Sequence, residues 1–211
     1  MVRESQNENC MVNDLFDIHE FMSPIDKYFK KWDEELKEEL VANEETVKEI
    51  LKYFVTCKRI FISGEGRSGL IGKFSGNRLM HTGIDVFYVQ DGLAPAITEE
   101  DLLLAISGSG ETSSVVIHAM NAKKIGAKVV AITAREDSTL TKYCDCALVL
   151  RGRTKDDKSY NDVTLKDNPP ITYMGTQFEY KALCTLEMFA NARAKFYGMK
   201  EEDMKRRHQN I

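Results

Sequence analysis

The sequence predicts an α/β protein, a three-layer αβα sandwich on a five-stranded parallel sheet with helices added at the N-terminus. Two observations carry this. From Arg59 onward, short apolar runs alternate with helical stretches, the signature of consecutive strand–helix units. The run Leu102 to Ile106 is apolar without alternation, as a strand buried on both faces requires.

Taken in order, residues 1 to about 11 read as a polar leader. Leu15, Ile18, Phe21 and Met22 mark a short helix that Pro24 ends or restarts. A second helix is expected over about 25–40 and a third over about 44–56, with Asn43 as N-cap. In the third, Val47, Ile50, Leu51, Phe54 and Val55 form one apolar stripe, while the charged run Lys30 to Glu39 reads as a solvated face. The expected strands are Arg59–Ser63, Asp85–Val89, Leu102–Ser107, Lys128–Thr133 and Cys146–Leu150, with helices at about 67–82, 112–125 and 138–144. Arg151 to Thr172 is polar and too long for an ordinary connector, so it is a mobile active-site loop or an inert insertion. A last helix begins near Thr176 and carries Phe178, Leu183, Leu186, Phe189 and Ala190 toward Gly198, before a charged tail.

A chain of 211 residues suits one well-buried domain with an appended helical segment. Its net charge of −4 argues against a general nucleic-acid binder, which needs excess Lys and Arg. Five scattered cysteines, without C-x-x-C and without His at metal-ligand spacing, read as reduced thiols of a cytoplasmic protein that holds no metal. The N-terminus lacks the basic-then-apolar form of a secretory signal, and no apolar run approaches the ~18 residues that span a bilayer.

Right-handed crossovers would place all strand C-termini on one rim, where ligands of such sheets bind. Two turns fall there. After the third strand, Ser107-Gly108-Ser109-Gly110-Glu111-Thr112 opens into a helix. Hydroxyls of Ser107, Ser109 and Thr112 can hold a compact phosphate, and Gly108 and Gly110 let it approach the backbone. The plain alternative is a tight turn with a Ser cap. Glu111 reads as a structural acid in the first turn of the helix. After the first strand comes Gly64-Glu65-Gly66-Arg67-Ser68-Gly69, the G-x-G-x-x-G pattern in the context of a dinucleotide site, with Asp91 as its candidate ribose acid. Against that reading, Arg67 and Ser68 put a cation and a hydroxyl in the turn, and the chain has no room for a separate substrate domain. Thr176-x-x-Glu179 has the form of a capping box. His208 lies in a basic tail, and His19, His81 and His118 lack partners at ligand spacing.

At these residues a resemblance becomes specific. Gly66-Arg67-Ser68-Gly69, Arg78-Leu79-Met80-His81, Ala105 to Ser114 and Gly126 to Thr133 resemble the sugar isomerase (SIS) domain family. With Arg153-Thr154-Lys155, Gly175-Thr176-x-Phe178-Glu179 and Arg206-Arg207-His208-x-Asn210, the chain is similar to the 6-phospho-3-hexuloisomerases over about residues 45–211. The segment Asp156 to Tyr173 and the leader are longer than that pattern has.

The resemblance implies a flavodoxin-like SIS domain over 41–200 and a 201–211 tail contributing to an active site, and the helical pattern before it reads as an extension over 1–40. It implies interconversion of 3-hexulose 6-phosphate and fructose 6-phosphate in the ribulose monophosphate pathway, in formaldehyde fixation or its reverse. No cofactor is implied; a homotetramer and functional pairing with 3-hexulose-6-phosphate synthase are. Carried over, Ser107, Gly108, Ser109 and Thr112 hold the phosphate, Gly66, Arg67 and Ser68 form the first turn, Glu179 is the base, and His208 reaches a shared site to shuttle protons. Another SIS-type aldose–ketose phosphate isomerase and a non-catalytic phosphosugar-binding module are the alternatives.

Overall fold

A computed structural model describes residues 17–152 and 175–208. The leader, Cys10, Arg153-Thr154-Lys155, the extended 156–173 segment and Asn210 lie outside the described residues. The chain divides into two compact units, 1–38 and 39–211.

In the first unit, helix α1 (Ile18–Pro24) is capped by Asp17, whose carboxylate accepts the His19 N–H at 2.8 Å. Pro24 has no N–H to give, and a π-helical turn, Ile25–Phe29, follows it directly. The helix expected over 25–40 is therefore split, and α2 proper is Lys30–Ala42, whose last four residues, from Glu39, belong to the second unit. The Phe29 and Trp32 rings meet edge-on at 5.0 Å.

The second unit contains α3 (Glu44–Thr56), β1 (Arg59–Gly64), α4 (Gly66–His81), β2 (Asp85–Tyr88), β3 (Leu102–Ile106), α5 (Ser113–Ile125), β4 (Lys128–Thr133), β5 (Cys146–Val149), α6 (Thr176–Phe196) and the short α7 (Glu201–Lys205). Each expected strand forms within one residue of its predicted ends. The strands make one all-parallel sheet in the order β2-β1-β3-β4-β5. The expected helix at 138–144 is a single 3₁₀ turn, Leu140–Tyr143: Ser138 and Thr141 each accept the other's backbone N–H through their hydroxyls, and the Leu140 N–H goes to Gly110 O, bonds that compete with a helical ladder. Asn43 does stand at the N-cap of α3, but its side-chain amide donates back to Glu39 O at 2.7 Å and does not cap.

Side chains alternate across the sheet. Phe61, Leu103, Ala105, Val129 and Ala131 pack with Val115, Ala119 and Ala122 of α5 on one face. On the other, α4 and α6 pack on each other, α4 lies on β1 and β2, and α3 lies against β5 and α6, which completes the three layers. Close contact of α4 with β1 depends on Gly69: a Cβ there would stand 2.6 Å from Gly64 O and 2.5 Å from the Tyr88 hydroxyl, which donates to that same carbonyl.

Three buried polar contacts fix the layers. Arg193 of α6 donates to Thr82 Oγ1 at 3.1 Å and to Phe54 O at 2.5 Å, tying the ends of α4 and α3 to α6. Lys181, 0% exposed, donates to Glu39 Oε1 at 2.9 Å and to Arg151 O at 3.0 Å. Arg59 clasps the buried Asp101 through two hydrogen bonds, 2.9 and 2.6 Å. Asp101 also accepts from the Thr98 N–H and hydroxyl. Burial alone would raise its carboxyl, but these donors hold it below the ordinary value.

Candidate active site

Neighbouring strands β1 and β3 continue in opposite directions, β1 through α4 back to β2 and β3 through α5 on to β4. Such a reversal opens a crevice beyond the strand C-termini. Both Gly/Ser-rich turns border it.

The loop after β3 is held from below. Ser107 N donates to Ile132 O at 3.0 Å, Ala134 N to Gly108 O at 3.0 Å, and Leu140 N to Gly110 O at 3.0 Å. Gly110 has φ +65, and a Cβ there would fall 2.2 Å from Ser138 Oγ, so the bend needs glycine on both conformational and steric grounds. Ser107 Oγ accepts the Gly110 N–H at 3.1 Å and pairs with Thr112 Oγ1 at 3.0 Å. Ser109 Oγ accepts the Glu111 N–H at 3.2 Å, which leaves its own proton to give. Thr112 is the N-cap of α5 without a side-chain cap bond, so the first amides of the helix point outward beside three hydroxyls. This arrangement suits a phosphate. Glu111 is not in the helix: it precedes the cap, and its carboxylate binds the Thr139 N–H at 2.8 Å and hydroxyl at 2.6 Å. Its role is structural as expected, but as a strut to the next loop rather than a dipole partner.

Across the crevice, Gly66 opens α4 at φ +54, Arg67 and Ser68 follow in its first turn, and Glu65 occupies the N-cap. The Arg67 guanidinium reaches Glu179, with Nε at 2.6 Å and a terminal nitrogen at 2.5 Å from Oε2. Glu179 is 9% exposed. The capping box anticipated at Thr176 does not form: Gly175 is the N-cap of α6, so Thr176 lies inside the helix. Glu179 thereby turns to Arg67. Its neighbour Phe178 packs on the phosphate-type loop, since a Cβ on Gly108 would meet that ring at 3.1 Å. Segments after β1, after β3 and at the start of α6 thus converge.

His208 does not join them in its own chain. Its ring stacks on His81 at 5.3 Å, at the far end of α4. Fourteen residues of helix separate His81 from Arg67, roughly 20 Å at 1.5 Å per residue. His118, read from the sequence as structural, has its Nδ1 2.9 Å from the buried Ser63 Oγ. Sequence reasoning also passed over Glu65, which receives Ser114 Oγ at 2.7 Å and Gln90 Nε2 at 2.9 Å. Its place between two glycines of the turn was the available signal. Asp91, the ribose candidate, lies 3.8 Å from Lys73. Among the described residues no group of three or more His, Cys, Asp and Glu is placed to hold a metal ion, and no helix is long and apolar enough to cross a membrane.

Comparison with known proteins agrees with this architecture. The SIS domain model matches residues 53–164, and the chain belongs to the SIS domain family. Within it, relatives bear the reaction name that the motifs resemble. A 3-hexulose-6-phosphate isomerase of Mycobacterium gastri is 34% identical, covering 79% of this chain and 80% of that one. The 3-hexulose-6-phosphate isomerase of Bacillus subtilis is 31% identical, covering 81% and 89%. A crystal structure from Methanococcus jannaschii, from which a molecular function of 3-hexulose-6-phosphate isomerase was inferred, superposes with a TM-score of 0.71 at 29% identity, covering 85% of this chain and 96% of that one.

Proposed function

We propose that the chain is a phosphosugar isomerase that interconverts 3-hexulose 6-phosphate and fructose 6-phosphate through an enediol. The observation that carries the reading is the Arg67–Glu179 pair, set beside the Ser107–Thr112 loop by Phe178. Moving the carbonyl from C3 to C2 takes a proton from C2 and returns one to C3. One carboxylate on one face of the enediol does both, provided the developing oxyanion is stabilised.

Glu179 is the base. Arg67 holds it in the resting site and polarises the carbonyl oxygen once substrate enters. Ser107, Ser109 and Thr112, with the amides of Gly108 and the α5 terminus, hold the phosphate, and that remote grip aligns C2 and C3 with the base. Gly66 and Ser68 line the opposite wall. His208 moves protons between the two oxygens, and because it lies roughly 20 Å from Arg67 within one chain, it acts from a second copy in a homotetramer. The setting is the ribulose monophosphate pathway in the cytoplasm, next to 3-hexulose-6-phosphate synthase.

A coupled assay tests the reading: substrate made by the synthase should yield fructose 6-phosphate, with no added cofactor. Absence of that signal together with turnover of arabinose 5-phosphate would move the assignment to another isomerase of the family. An arabinose 5-phosphate isomerase of Escherichia coli matches 48% of this chain at 35% identity.

A further inference from the structure

Glu65 is exposed, with extended backbone at φ −117 and ψ 152. Alternation along β1 therefore continues through it, and Phe61, Ser63 and Glu65 all face α5. The pairing is regular: Ser63 meets His118, and one helical turn earlier Glu65 meets Ser114. The Glu65–Ser114 bond crosses the crevice between β1 and β3.

Both donors, the Ser114 hydroxyl and the Gln90 amide, end on the same oxygen, Oε1. Oε2 accepts no hydrogen bond from the described residues. The Ser114 and Gln90 hydrogen bonds also hold the carboxyl below its ordinary value, so it is ionised at neutral pH. The result is an acceptor fixed in direction before any ligand arrives, with one oxygen open. The two walls of the crevice differ: hydroxyls and helix amides follow β3, with the Glu111 carboxylate bound to Thr139, whereas after β1 an oriented carboxylate stands at the N-cap of α4, two residues before Arg67, whose charge is engaged by Glu179.

A monophosphorylated open-chain sugar has matching ends. Its phosphate needs donors, and its polyol offers O–H groups that need an acceptor. We propose that Glu65 is a specificity-determining residue of this site: Oε2 accepts hydroxyl protons of the sugar, and its charge rejects a second phosphate. The proposal rests on the phosphosugar reading above and goes beyond it by naming what the site excludes.

The test compares wild type, Glu65→Gln and Glu65→Ala by calorimetric titration with fructose 6-phosphate and fructose 1,6-bisphosphate, and by turnover of 3-hexulose 6-phosphate. Wild type should bind the monophosphate at least about tenfold more tightly than the bisphosphate. Glu65→Gln keeps an oxygen for Ser114 and Gln90 but not the charge, and should bring the two ligands within about twofold. Glu65→Ala should raise KM for the monophosphate about tenfold with kcat largely kept. If both variants retain wild-type discrimination and KM while wild type turns over the substrate, Glu65 is only a brace and the proposal fails alone. Should wild type bind neither sugar, the phosphosugar reading itself fails and takes this one with it.

Discussion

Arg67 and Glu179 stand 112 positions apart in the chain and share a 2.6 Å hydrogen bond in the fold. If Glu179 is the base, Glu179→Gln should lower kcat by about 10²–10⁴ with little change in KM, because the amide keeps the shape and loses the proton acceptor. Steady-state kinetics decide it, and near-wild-type kcat would move the base elsewhere.

The separation of His208 from Arg67 makes a different prediction. Glu179→Gln and His208→Ala proteins should each be nearly inactive. Unfolding and refolding them together should restore a fraction of wild-type turnover, since some mixed assemblies contain a site with both groups intact. Recovery of none would place the complete site within one chain.

Two glycines of the site should differ in what they tolerate. At Gly66 an added Cβ meets nothing within 4 Å, so Gly66→Ala costs only the φ +54 conformation, roughly 1–2 kcal/mol. At Gly110 the conformational cost is joined by a collision with Ser138. The thermal midpoint of Gly110→Ala should fall clearly below that of Gly66→Ala, and the reverse order would show that the loop rebuilds freely.

Acid should remove the Arg59–Asp101 clasp. The folded-state pKa of Asp101 is depressed, so its contribution is complete above the unfolded value of about 3.9 and is lost as pH falls through the folded value. Denaturant midpoints should therefore hold steady from neutral to about pH 5 and decline below about 4. In Asp101→Asn the baseline should be lower and that part of the decline absent; an unchanged acid profile would assign it to other carboxylates.

Lys181 should be intolerant of truncation. Glu39 Oε1 receives the ammonium, while Glu39 Oε2 is buried without a hydrogen bond from the described residues. Lys181→Met leaves that carboxylate without its cation, a loss of about 3–5 kcal/mol. The double change Lys181→Met with Glu39→Leu should recover much of it, as measured by denaturant unfolding. Failure of the double change to recover would point to the Arg151 carbonyl as the partner that matters.

The sheet was legible because each strand is a short apolar run bounded by turn residues, and Leu102–Ile106 has the unbroken hydrophobicity of a central parallel strand. Local pattern served less well where a single residue decides. Pro24 was visible as an interruption, but nothing local says that a π turn follows it. Leu140–Tyr143 closes as one 3₁₀ turn because its backbone N–H groups and those beside it are taken by the Ser138 and Thr141 hydroxyls and by Gly110 O. At the site, the two turns were readable as loops. Their long-range bonds were not: the motif at Thr176 suggests a capping box, and only the fold shows Gly175 taking the cap and Arg67 taking the carboxylate. Glu65 passed unnoticed because its partners Gln90 and Ser114 lie 25 and 49 residues away.

Glu179 and Lys181 lie two residues apart on α6, about 200° around its axis. One is gripped by Arg67 and the other by Glu39 and Arg151. A rod pinned on opposite sides cannot roll, so as the proposed base the carboxylate would address a planar intermediate from a single direction. For the proposed reaction this makes handedness at the new stereocentre a property of the scaffold: the proton returns to the same face from which it left, and one epimer forms.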